Sequence, residues 1–92
     1  MSEKFSRILK IVNSRGLHAR ASAKFVQLIS DLDVEVRVSK DGHIVGGDSI
    51  MGLMMLAASK GSAIHVSATG KDAEKAIEML ANLVEAKFGE SE

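Results

Sequence analysis

A two-layer α/β sandwich is the fold class that this sequence predicts, on three observations. Four short segments alternate as strands do, three others repeat with helical period, and the two kinds interleave as β-α-β-β-α-β-α. A hairpin in the middle of that order makes the four-stranded sheet mainly antiparallel, with the three helices on one face. At 92 residues the chain supports one core, so residues 1–92 are read as a single domain. Its 26 Leu, Ile, Val and Phe residues supply enough apolar surface for folding without outside help.

The first strand runs from Phe5 to Val12, with Leu9 and Ile11 on one face. Asn13, Ser14, Arg15 and Gly16 form a turn. From about His18 to Ser30 the period is helical, and Ala21, Phe25, Leu28 and Ile29 make its apolar stripe. Val34, Val36 and Val38 then alternate with Glu35, Arg37 and Ser39, which defines a half-buried strand. Asp41-Gly42 turns the chain into a short return strand containing Ile44 and Val45.

A short apolar helix follows from about Ser49 to Ala58, and Ile64, Val66 and Ala68 mark the inner face of a fourth strand. Gly70 closes that strand. Asp72 is placed to cap a last helix, whose stripe of Ala73, Ala76, Ile77, Leu80, Leu83 and Val84 extends toward Gly89. Met1 to Lys4 and Gly89 to Glu92 read as frayed ends.

Composition excludes several function classes. Twelve basic residues balance twelve acidic ones, which argues against a general nucleic-acid binder because such binding neutralises many phosphates. Without Cys there is no disulfide framework, thiolate zinc site or thiol chemistry. No apolar run is long enough for a secretory peptide or a membrane helix, so the expectation is a soluble cytoplasmic protein without membrane insertion. Three scattered His residues make no metal-ligand spacing, and no cofactor is implied.

Gly42 and Gly47 are spaced as in a phosphate-binding P-loop, but Asp48 stands where that loop needs Lys and would repel phosphate. No two glycines lie three apart, which removes the dinucleotide fingerprint. With three Phe as the only aromatics, single-strand stacking platforms are also poorly supplied.

The neutral total hides an uneven distribution. Residues 1–24 hold six basic groups and one acidic group, whereas residues 71–92 hold three basic and six acidic. Anion binding therefore points to the first quarter, where Asn13-Ser14-Arg15-Gly16-Leu17-His18-Ala19-Arg20-Ala21-Ser22 forms a strand-to-helix junction. In isolation, a His at a helix start is more often a cap than a nucleophile. Here the free amides of Ala19, Arg20 and Ala21 would lie beside it, and the positive helix end favours an anion. Arg15 and Arg20 can add charge-assisted hydrogen bonds to phosphate oxygens. A nucleophilic imidazole would thus sit within a cradle for the group it accepts.

Gly16-Leu17-His18-Ala19-Arg20-Ala21-Ser22 resembles the active-site signature of HPr, the histidine-containing phosphocarrier family of the bacterial phosphoenolpyruvate-dependent phosphotransferase system. Asp48-Ser49-Ile50-Met51-Gly52-Leu53-Met54-Met55-Leu56 resembles that family's regulatory serine and following helix. The resemblance implies an open-faced sandwich with strand order 1-4-2-3. It also implies that His18 accepts a phosphoryl group at Nδ1 from phosphorylated enzyme I and passes it to an enzyme IIA domain, with Arg20 as principal phosphate partner. Such a chain is a phosphoryl carrier, not a stand-alone enzyme. One departure is Ala21, where the family often has Pro; Ala retains a free amide, and local rigidity should fall slightly.

Ser49 precedes a helix and is read first as an N-cap. The resemblance makes it a candidate for an HPr kinase/phosphorylase as well, and the two roles are compatible. The apolar residues of this helix surround it instead of forming a stripe, so some must face solvent. Ile50, Met51, Met54 and Met55 of this helix, together with Leu17 beside His18, are the expected partner-binding patch, with flexible Met side chains suited to partners of different shape. A monomer is expected. The competing readings are a regulatory binding module of a nitrogen-related phosphotransferase branch, acting by phosphorylation-dependent contacts, and a small nucleic-acid-binding domain, which the charge balance disfavours.

Overall fold

The computed structural model describes residues 4–92. Its elements are β1 (Lys4–Lys10), α1 (Ala19–Ile29), β2 (Glu35–Lys40), β3 (His43–Gly46), α2 (Ile50–Met55), β4 (Ala63–Thr69) and α3 (Ala73–Glu85), followed by a 3-10 turn at Lys87–Gly89. The sheet order is β1-β4-β2-β3 and every pairing is antiparallel, as expected for this fold. The expected fraying of Met1 to Lys4 lies outside the described residues except at Lys4, which pairs with Thr69 in the sheet.

Alternation and register explain how the sheet acquires one apolar face. Val38 is aligned with Val45 on one side and Val66 on the other, while Val36 faces Ala68, so buried side chains form rows across the strands. The β2–β3 hairpin turns at Asp41 and Gly42, both with positive φ, as its two-residue loop requires. Ile8 and Ile44 remain largely exposed on the outer face.

Phe25 of α1, Leu53 of α2, Leu80 and Val84 of α3, and Ile64 and Val66 of β4 belong to one fully buried cluster. At about 1.5–3 kcal/mol for each large side chain removed from water, this cluster is the main force that holds the helices on the sheet.

Several boundaries differ from the sequence expectation. Helix α2 stops at Met55, short of Ala58, because Leu56 caps it and Ala57 takes a left-handed φ of 51°. Asp72 occupies the N-cap position of α3, but its carboxylate accepts a hydrogen bond from the Asp33 amide at 2.8 Å instead of capping the helix.

The largest difference is at the end of the chain. Helix α3 ends at Glu85, and left-handed φ values at Lys87 and Phe88 turn the chain back onto the domain. Such conformations cost about 1–2 kcal/mol per residue. Burial of Phe88, only 1 % exposed, offsets that cost. Lys24 Nζ donates to the Phe88 carbonyl at 2.5 Å, and the Ser14 amide donates to a Glu92 main-chain oxygen at 3.0 Å. Residues 89–92 are therefore docked beside the turn after β1, where fraying was expected.

Candidate functional site

The turn from Asn13 to His18 is shaped by a close backbone approach and two hydrogen bonds. Gly16 has a φ of 66° and lies so close to the segment after α2 that an added Cβ would come within 2.9 Å of Ser59 Cα. The Leu17 amide donates to the Ala58 carbonyl at 2.9 Å. Buried Ser22 donates through Oγ to the Leu17 carbonyl at 3.2 Å, which ties α1 back to the turn. The early end of α2 thus has a purpose in the fold, because it brings Ala58 to the loop that carries His18.

His18 stands at the N-cap position of α1 with extended backbone angles, but its side chain makes no capping hydrogen bond. The capping alternative therefore describes its position and not its imidazole. The first helical bond runs from the Ser22 amide to the His18 carbonyl at 2.9 Å, so the amides of Ala19, Arg20 and Ala21 have no acceptor within the helix. Ala19, Arg20 and Arg15 are exposed, whereas the Ala21 side chain is buried and only its amide can serve an anion.

The imidazole is held from its far nitrogen. His18 Nε2 lies 2.5 Å from Glu90 Oε2, with the two side chains 23 % and 18 % exposed. The other Glu90 oxygen accepts from Asn13 Nδ2 at 3.0 Å, and the same amide group donates to the Gly16 carbonyl at 3.0 Å. The hydrogen bond from His18, and then that from Asn13, hold the Glu90 carboxyl below its ordinary pKa. Partial burial opposes them, while the electrostatic influence of His18 and Arg15 reinforces them. An ionised carboxylate only accepts hydrogen bonds, so Nε2 carries the proton and, in the neutral ring, the lone pair resides on Nδ1. No protein group hydrogen-bonds to Nδ1 among the described residues.

His18, Arg15 and Arg20 line one open cleft of about 390 Å³ with Ser14, Glu90, Ser91 and Glu92. His18, Arg15 and Arg20 are thereby brought to one cleft, at the start of the helix whose first amides have no acceptor within it. This arrangement can attack an electrophilic phosphorus and neutralise the oxygens it carries. Among the described residues no group of His, Asp or Glu could hold a metal ion. Among the same residues no helix is long and apolar enough to cross a membrane.

The second expected feature lies beyond the loop at Ala58. Ser49 caps α2 by accepting the Gly52 amide at 2.9 Å. Met51 and Met55 are 72 % and 78 % exposed, and Ile50 and Met54 are also on the surface, while Leu53 and Leu56 supply the buried side. Leu17 departs from expectation. It belongs to the core and is 5 % exposed, because the turn folds its side chain inward, so it adds no apolar surface for a partner.

Sequence reasoning missed Asn13 as a buried strut, and it missed Glu90 and Phe88 altogether. Glu90 lies 72 positions from His18, and no local pattern links them. The one available signal was Phe88, an aromatic in a chain with three, placed where a frayed end would leave it exposed.

Comparison with known proteins gives matches that span most of the chain. Residues 5–86 match the family model described as "PTS HPr component phosphorylation site". A phosphocarrier protein HPr from Neisseria meningitidis is 49 % identical over 84 residues, covering 91 % of this chain and 94 % of the relative. A phosphocarrier protein NPr from Shewanella violacea is 36 % identical over 96 % of this chain and 97 % of its own. The crystal structure of HPr-C-His from Thermoanaerobacter tengcongensis superposes with a TM-score of 0.90 and 43 % identity, covering 96 % and 99 % of the two chains.

Proposed function

The chain belongs to the HPr family of phosphotransferase-system phosphocarriers, and on that premise we propose that His18 is its phosphoryl acceptor. The group arrives from phosphorylated enzyme I and leaves to an enzyme IIA domain. The observation that carries this reading is the imidazole at the head of α1, bonded through Nε2 and with Nδ1 unbonded among the described residues, in a cleft shared with Arg15 and Arg20.

The chemistry assigned to each group follows from its placement. The Nδ1 lone pair attacks phosphorus while the donor's bond to phosphorus breaks and the donor retains that electron pair. Arg20 and Arg15 neutralise the phosphoryl oxygens, and the amides of Ala19, Arg20 and Ala21 accept the anion at the positive end of α1. An open cleft suits a carrier, since each partner's own active site closes over the exposed nitrogen. Incubation with enzyme I and phosphoenolpyruvate should give an acid-labile phosphoprotein that loses its label when an enzyme IIA is added. A protein that stays unlabelled would refute the carrier role.

The Met surface of α2 is assigned to partner docking. Met51→Glu or Met54→Glu should raise the KM for transfer from enzyme I while shifting the unfolding midpoint little, because both side chains already face solvent. A large loss of stability would show that they are packing residues instead.

Ser49 is assigned as the regulatory phosphorylation site for an HPr kinase/phosphorylase. Its hydroxyl sits at the start of a helix, where a phosphate is tolerated locally, and it borders the same apolar surface next to exposed Asp48. Added charge there should obstruct docking without unfolding the domain. Phosphorylated Ser49 is therefore expected to slow transfer from enzyme I, and equal rates for the two forms would contradict the assignment.

A further inference from the structure

We propose that Glu90 is a positioning residue for the phosphoryl chemistry of His18, fixing the proton on Nε2 and stabilising the charge that the ring acquires when Nδ1 bonds to phosphorus. The inference deepens the carrier reading and rests on it. Three observations carry it: the 2.5 Å contact between Nε2 and Oε2, the second Glu90 oxygen held by fully buried Asn13, and the anchoring of the segment by buried Phe88.

Without a fixed tautomer, either ring nitrogen can carry the proton, and only the unprotonated one is nucleophilic. The Glu90 carboxylate selects Nε2–H and orients the ring, as a carboxylate does for a histidine whose other nitrogen acts on a substrate. Asn13 connects this carboxylate to the Gly16 carbonyl, so Glu90 is registered to the turn that carries His18. Lys24 and Phe88 secure the chain two residues earlier.

The step balances without a proton leaving. In acceptance, the Nδ1–P bond forms as the donor's bond to phosphorus breaks, and the positive charge on the ring is paired with Glu90 through Nε2–H. In donation, the next acceptor's lone pair takes the phosphorus, Nδ1 recovers its electron pair, and the ring is again neutral with its proton on Nε2. Glu90 therefore serves both directions, stabilising the charged ring while keeping it a competent leaving group.

The test compares wild type, Glu90→Gln and Glu90→Asp. Nitrogen NMR of the His18 ring in unphosphorylated protein is expected to show the Nε2–H form in wild type. In Glu90→Gln the Nδ1 resonance should move toward a mixture of tautomers. In transfer from enzyme I, Glu90→Gln should lose about 10–100-fold in kcat with KM unchanged, and Glu90→Asp should recover part of that loss. Unchanged ring resonances in Glu90→Gln, whether or not kcat falls, would overturn the assignment and leave Glu90 as a tether. If wild type takes no label, the carrier reading fails, while the ring resonances still decide whether Glu90 fixes the tautomer.

Discussion

Replacing His18 with alanine is expected to abolish phosphoryl acceptance while leaving a folded domain. The ring is not part of the apolar core, and its side-chain hydrogen bond among the described residues goes to Glu90. Removing that charge-assisted bond costs about 1.5–3 kcal/mol at most. The apolar cluster of Phe25, Leu53, Ile64, Leu80 and Val84 is untouched. Neither His43 nor His65 can substitute, because both lie on exposed sheet positions and neither borders the cleft shared by Arg15 and Arg20. Circular dichroism should therefore match wild type, and incubation with enzyme I and phosphoenolpyruvate should leave the variant unlabelled. Persistent acid-labile label in His18→Ala would place the acceptor elsewhere.

Gly16→Ala should have the largest effect of any single added carbon near the site. The residue has a φ of 66°, for which an L side chain costs about 1–2 kcal/mol, and the new carbon would press on the backbone of Ala58 and Ser59. Backbone atoms yield less readily than a side-chain tip, so overpacking adds about 1–3 kcal/mol. Urea unfolding should report a loss of about 2–5 kcal/mol. Relief of the clash would also disturb the bond from the Leu17 amide to Ala58 and thus the direction of His18, so the rate of labelling should fall in the same variant. Wild-type stability and wild-type labelling together would show that the close approach of these two segments is unimportant.

Most of the architecture was legible because it is encoded locally. Alternating valines in β2, the Asp41-Gly42 turn and the apolar stripe of α3 each carry their own periodicity or φ requirement. The order 1-4-2-3 was not local; it came with the family resemblance and agrees with the observed pairing. For the site, the cluster of His18, Arg15 and Arg20 was readable because seven consecutive residues contain the nucleophile, a basic partner and the helix start.

What escaped was nonlocal or concerned direction. Glu90 meets His18 only because Phe88 is drawn into the core beside Lys24 of α1, an event decided by tertiary burial and not by the polar sequence around it. Leu17 is expected in the partner-binding patch, yet the turn folds its side chain inward to 5 % exposure, a direction that the sequence does not encode. Asn13 read as a turn former, which it is, but its complete burial and its bonds to Gly16 and Glu90 depend on the docked segment.

The central claim is that Nδ1 of His18 is the atom that carries phosphorus. It is tested most directly by nitrogen–phosphorus correlation NMR on protein labelled with nitrogen-15 and phosphorylated by enzyme I. The geometry predicts coupling of phosphorus to Nδ1, with Nε2 still protonated toward Glu90. Phosphorus coupled to Nε2, or bonded to any residue other than His18, would contradict it.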